Sequence, residues 1–126
     1  MNPLNYGSLE ASKRLVEAGI VLETEAVRER HRWPGGERWI LVSRGIALNK
    51  TIPAPSMAEV WRELPNVIED GGVNYYFGTY ATPFKGLYMY GYYNLQLRIF
   101  IYKITDERNP TDALIDLLIR VRKEKP

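Results

Sequence analysis

The stretch Ile52-Pro53-Ala54-Pro55-Ser56-Met57-Ala58-Glu59-Val60-Trp61-Arg62-Glu63-Leu64-Pro65 carries its own punctuation. Ser56 and Glu59 have the spacing of a capping box, in which the hydroxyl takes a free backbone N–H and the carboxylate reaches back to the cap. Pro53 and Pro55 forbid helix before the cap, and Pro65 marks a stop. Met57, Val60, Trp61 and Leu64 fall at i, i+3, i+4 and i+7, which predicts one apolar stripe on a short helix over 56–64. On that stripe Trp61 reads as a core anchor rather than a ligand platform.

Working back from this helix, residues 45–51 read as a connection. Before it, residues 27–33 and 38–43 flank Pro34-Gly35-Gly36, a strong turn signal that predicts a hairpin. Either plausible register places Arg28, Arg30 and Arg32 on one sheet face with Trp39 and Leu41, and His31 on the other with Ile40 and Val42. Helix over 24–32 stays open, because the polarity there has no clear period. Residues 20–24 alternate as a short strand should. Ser8 caps a first helix over 8–18 that Gly19 ends, with Ala11, Leu15 and Ala18 on its narrow apolar face beside Leu9 and Val16.

Working forward, Glu69-Asp70-Gly71-Gly72 reads as a loop or hairpin turn. From 73 to 104 the composition changes: eight of the nine tyrosines and all three phenylalanines lie there, and no acid does. Gly78, Pro83, Gly86 and Gly91 cut this segment into pieces of strand size, roughly 73–80, 86–93 and 95–104, a natural meander. The last piece is apolar enough on both faces for a central strand. Asn109, Pro110 and Asp112 then open a helix over 110–123, with Leu114, Leu117, Leu118 and Val121 as its buried stripe. The expectation is an α+β fold: one domain over 1–126, an antiparallel sheet of four to six strands, and three helices mainly on one face.

Several function classes are excluded by composition. The 126 residues contain no cysteine, which removes disulfides, thiol nucleophiles and Cys-based metal sites. The net charge of +2 is too small to argue for nucleic acid by itself. No apolar run approaches the ~20 residues that span a bilayer, and the N-terminus lacks the basic and apolar regions of a secretory signal. A soluble, cytoplasmic protein without membrane association is expected.

Three blocks carry a resemblance: 8–20, 53–65 and 109–119. Together they resemble a group of small phage- and prophage-encoded proteins of unknown function. The resemblance covers about half the chain, implies a phage or prophage origin, and brings no catalytic residue with it. All three blocks are helices and caps, as a shared scaffold would be.

The chemistry-bearing residues are few. His31 titrates near neutrality but lacks the convergent ligands or base–nucleophile spacing that metal sites and catalysis need, so no cofactor, metal or catalytic residue is assigned. Glu69-Asp70 and Asp106-Glu107 would suit a hydrolase only if carboxylates converged from distant segments, which makes that the third reading. The second is a nucleic-acid-binding module using Arg28, Arg30, Arg32 and Trp39. The favoured reading is a non-enzymatic protein-interaction module using a tyrosine-rich sheet face, drawn from Tyr75, Tyr76, Tyr80, Tyr88, Tyr90, Tyr92 and Tyr93, or an edge strand. Of each adjacent pair, Tyr75-Tyr76 and Tyr92-Tyr93, one member must face away from the core. Its protein partner is not named by the sequence. Edge pairing into a homodimer would need no further residues.

Overall fold

The expected caps form, and they also tie the helices together. A computed structural model describes residues 2–80, 88–106 and 109–124, with the backbone alone at 4, 80, 88, 105 and 106. In the first helix, α1 (Leu9–Glu17), Ser8 Oγ accepts from Ala11 N at 3.2 Å. At its other end Ile20 N donates to Leu15 O and Gly19 N to Val16 O, with Gly19 at φ +74°, a Schellman closure that brings Ile20 onto Leu15 in the core. The outer residues of the expected face behave differently: Ala18 and Val16 are exposed, and Ser12 is buried instead.

Strands β1 (Ala26–Trp33) and β2 (Gly36–Ser43) form the hairpin about Pro34-Gly35, with Arg32 opposite Glu37 and Arg30 opposite Trp39. This settles residues 26–32 as strand. Strand β3 (Thr51–Ala54) was not anticipated; it pairs antiparallel with β1, giving a three-stranded sheet ordered β2-β1-β3. Its Pro53 is tolerated because β3 is an edge. Residues 20–24 are a correction: they alternate, with Ile20 and Thr24 buried and Val21 exposed, but join no ladder. Their exit is fixed otherwise, because Glu25 N donates to the Glu59 carboxylate at 3.1 Å and Thr24 Oγ1 to Ala26 O at 2.7 Å.

Helix α2 (Met57–Glu63) has the capping box complete, Glu59 N to Ser56 Oγ at 3.1 Å and Ser56 N to Glu59 Oε1 at 2.7 Å. Strands β4 (Val67–Asp70), β5 (Val73–Tyr80), β6 (Tyr88–Asn94) and β7 (Ile99–Asp106) follow as an antiparallel sheet in that order. Gly71 and Gly72, at φ +60° and +80°, make the two-residue turn between β4 and β5. The seven strands of the described residues therefore divide between two sheets where a single one was expected. The strand expected over 95–104 starts instead at Ile99 and lies at the sheet edge, not in the centre. Residues 95–98 are a turn, in which Leu97 N donates to Asn94 Oδ1 at 2.7 Å and Arg98 takes φ +56°. Of the breakers read from sequence, Pro83 and Gly86 lie outside the described residues.

Helix α3 (Pro110–Glu124) is capped by Asn109 Oδ1, which accepts from Thr111 N at 2.9 Å. Its Leu114, Ile115, Leu117 and Leu118 are fully buried against Ala11 and Leu15 of α1, Val60 of α2, and Ile68, Tyr75, Tyr90 and Tyr92 of the four-stranded sheet. Burial of a Leu or Ile side chain is worth about 1.5–3 kcal/mol, so this helix is the chief source of core stability. The α+β fold with three helices on one side of a sheet is thus observed. The three-stranded sheet joins through Gly7: its N–H donates to Pro55 O at 2.9 Å and its carbonyl accepts from Arg28. A Cβ at Gly7 would lie 2.7 Å from Ile115 Cδ1, so a larger residue there would have to displace that buried side chain.

Candidate interaction surfaces

The four-stranded sheet has one face packed on the helices and one face turned away from them. Tyr75, Tyr90 and Tyr92 point inward and are buried, which corrects their assignment to a contact surface. Phe77 lies with them, 5.6 Å from the Tyr92 ring. Tyr92 has no exposed surface; its hydroxyl donates to Pro65 O at 2.7 Å, and burial pushes its phenol above the ordinary tyrosine range. Trp61 closes the rim of this cluster edge-on, 4.7 Å from Phe77 and 6.5 Å from Tyr90, while keeping 41% of its surface exposed. It was expected as a core anchor, but Val60 and Leu64 fill that role and Trp61 lies exposed at the rim.

On the opposite face, strand register sets Val67, Tyr76, Tyr93 and Phe100 in one row across all four strands. Tyr76 is 55% exposed, and the Tyr93 and Phe100 rings lie 4.5 Å apart. In the next row Gly78 faces Gly91. A Cβ at Gly91 would meet the Lys103 backbone at 3.3 Å, because β7 bulges there with Tyr102 at φ +54°. The bulge turns Tyr102 toward Arg120 of α3, 5.6 Å from its ring, and sets Lys103 over Phe100 at 5.7 Å. The helices pack on the inner face, and on the outer one Val67 and Tyr76 are exposed while Tyr93 and Phe100 are half-buried. The β6–β7 turn extends the apolar surface with Leu95 and Leu97, 78% and 53% exposed. Of the seven tyrosines expected at a surface, Tyr76 and Tyr93 are there; the side chains of Tyr80 and Tyr88 lie outside the described residues.

The three-stranded sheet does gather Arg28, Arg30, Arg32 and Trp39 on one face, as the alternation predicts. Their surroundings differ. Arg28 is half-buried and donates through Nη2 to Gly7 O at 2.8 Å; desolvation draws its guanidinium below the usual value, opposed by Asp112 and Glu10. It holds the fold and is not free to bind. Arg32 pairs with Glu37 at 3.3 Å, both exposed, and Trp39 Nε1 donates to Glu37 at 3.1 Å. Lys13 of α1 also belongs to this face, 5.7 Å over the Trp39 ring, and the backbone of Lys50 adjoins Arg30, whose N–H donates to its carbonyl at 2.9 Å.

On the sheet's other face Glu29 is buried and accepts from Leu48 N at 2.5 Å and Asn49 N at 2.9 Å, with His31 Nε2 at 2.8 Å. The backbone donors of Asn49 and Leu48, then His31, hold its carboxyl below the usual carboxylate value. A carboxylate engaged on both oxygens orders the 44–50 connection and is poorly placed to take a proton from a substrate. A shallow cleft of about 550 Å³ lies nearby, walled by Val21, Thr24, Arg44 and Leu48 over Val27 and Pro53; Glu29 and His31 do not line it. Of the expected acidic pairs, Glu69 and Asp70 sit on β4, while Glu107 and the Asp106 side chain lie outside the described residues. Among the described residues no three His, Asp or Glu side chains cluster as metal ligands, and no helix is long and apolar enough to cross a membrane. Sequence reasoning missed Lys13, Lys50, Val67 and Phe100; only pairing partners and helix placement reveal them.

The chain matches no family model, no curated protein and no solved structure.

Proposed function

We propose that the protein is a non-enzymatic interaction module that docks a protein partner on the outer face of its four-stranded sheet. The observation that supports this reading is the row Val67–Tyr76–Tyr93–Phe100 on the face turned away from the helices, with Val67 and Tyr76 exposed beside an apolar turn. Tyrosine gives large rigid contact area with little side-chain entropy to lose, and contiguous exposed apolar surface marks interaction sites. An accessory role in a phage or prophage setting follows from the resemblance of the three helical blocks.

The test is site-specific photocrosslinking from position 76 in cells, with position 38 on the other sheet as control. A discrete protein adduct from 76, lost on Phe100→Asp, is the expected result. Adducts between two copies of this chain would make the partner a second copy. Absence of any adduct, or equal adducts from both positions, would overturn the reading.

A further inference from the structure

The open end of the arginine face belongs to the other sheet and plays no part in the reading above. Lys13 stands over the Trp39 ring, Arg30 is the cross-strand neighbour of Trp39, Lys50 adjoins Arg30 through its backbone, and Arg32 pairs with Glu37. Glu10 and Asp112 lie at the Arg28 end, where their charge answers the buried guanidinium. We propose that this face binds single-stranded nucleic acid, with Lys13, Arg30, Arg32 and Lys50 on phosphates and a base stacked on Trp39.

Charge complementarity selects a polyanion. The cationic residues outnumber Glu37, whose carboxyl is held below the usual carboxylate value by the donors Trp39 and then Arg32. Lys and Arg that neutralise phosphates release the counterions condensed on a nucleic-acid strand, which makes such binding salt-dependent. The indole selects among polyanions, because a base has a π-face to stack and a carboxylate chain has none. A sheet face this broad does not enter a duplex groove as a helix or two-stranded ribbon does, so the single strand is the fitting form. Lys13 now caps the ring through its ammonium group. Moving that flexible stem to a phosphate exchanges one cation–π contact for an ion pair and uncovers the stacking surface.

The experiment uses the full chain and fluorescein-labelled oligothymidine of about 15 nucleotides, a length that spans such a site. Anisotropy is followed across a salt series. Binding should weaken with a log–log slope of about −2 to −3, at ~0.7 per phosphate contact for three to four contacts. Arg30→Gln with Lys50→Gln should flatten the slope by about 1.4, two contacts' worth, and weaken binding at low salt roughly tenfold or more. Arg38→Gln, on the opposite face, should change neither. Trp39→Leu should weaken the oligonucleotide more than inorganic polyphosphate, which has no base to stack. Oligonucleotide binding without salt dependence, equal affinity for polyglutamate, or an unchanged slope in the double variant would overturn the proposal. Should that variant fail to fold, the wild-type salt slope and polyglutamate competition still decide it. Neither outcome touches the tyrosine strip of the other sheet.

Discussion

A buried polar side chain taken from each of the two sheets is held by different means. In the three-stranded sheet it is Glu29, ionised, with donors from Leu48, Asn49 and His31. In the four-stranded sheet it is Tyr92, neutral, with one hydrogen bond to Pro65 and aromatic rings on its sides. The small sheet has few buried apolar residues of its own, Ala26, Val27 and Ala54, so directed bonds to a carboxylate order the connection beside it. The large sheet shares a core with three helices, and there the polar tip is an addition to packing. Directed bonds to an ionised group carry a dependence on pH that packing does not.

The comparison is broken most severely from the packed side. Tyr92→Ala empties the centre of the aromatic cluster and should cost about 3–5 kcal/mol in urea unfolding, as large-to-small core changes do. A loss below about 1 kcal/mol would mean the sheet's stability lies elsewhere. Next in size is the joint between the sheets. Gly7→Ala drives a methyl against Ile115 and should cost about 1–3 kcal/mol, the range for overpacking. The same change should loosen β3, which hydrogen exchange of the Arg30 amide bonded to Lys50 would report.

The smallest effect is local and separates the two sheets by pH. Glu29 has its folded-state pKa lowered, so its contribution is complete above the unfolded-state value and is lost as pH falls through the folded-state one. Protection of the Leu48 and Asn49 amides, corrected for intrinsic exchange, should therefore drop on acidification before that of Phe77 in the large sheet. Glu29→Gln should remove this pH dependence. Simultaneous loss in both sheets would show that the small sheet is not separately anchored.

Local chemistry was legible in the sequence, and tertiary consequences were not. Ser8, Ser56, Asn109 and Gly19 read correctly because a cap involves residues within one turn. The faces of the first hairpin read correctly because strand alternation has a period of two and Pro34-Gly35 fixes the turn. Residues 20–24 misled because alternation records burial, whereas a strand also needs a neighbour with free backbone groups. Residues 95–98 misled because Leu95 and Leu97 continue the apolar rhythm through a turn that Asn94 and Arg98 shape. Of the candidate surfaces, the inward and outward members of each tyrosine pair could be expected but not ordered. Lys13 joins the arginine face across 26 residues of chain, measured to its partner Trp39, and no spacing rule reaches that far.

Glu59 belongs to two events of different reach. One oxygen closes the cap of α2 with Ser56, three residues away, and the other holds Glu25 N, 34 residues away. The cap can form as soon as the helix nucleates, while the second bond waits for the first hairpin to dock. The carboxylate therefore links a fast local step to a slow long-range one, and the helix gains its last increment of order only when β1 arrives. Mutational effects at Ser56 should fall more on the folding rate, and those on the Glu25 contact more on the unfolding rate.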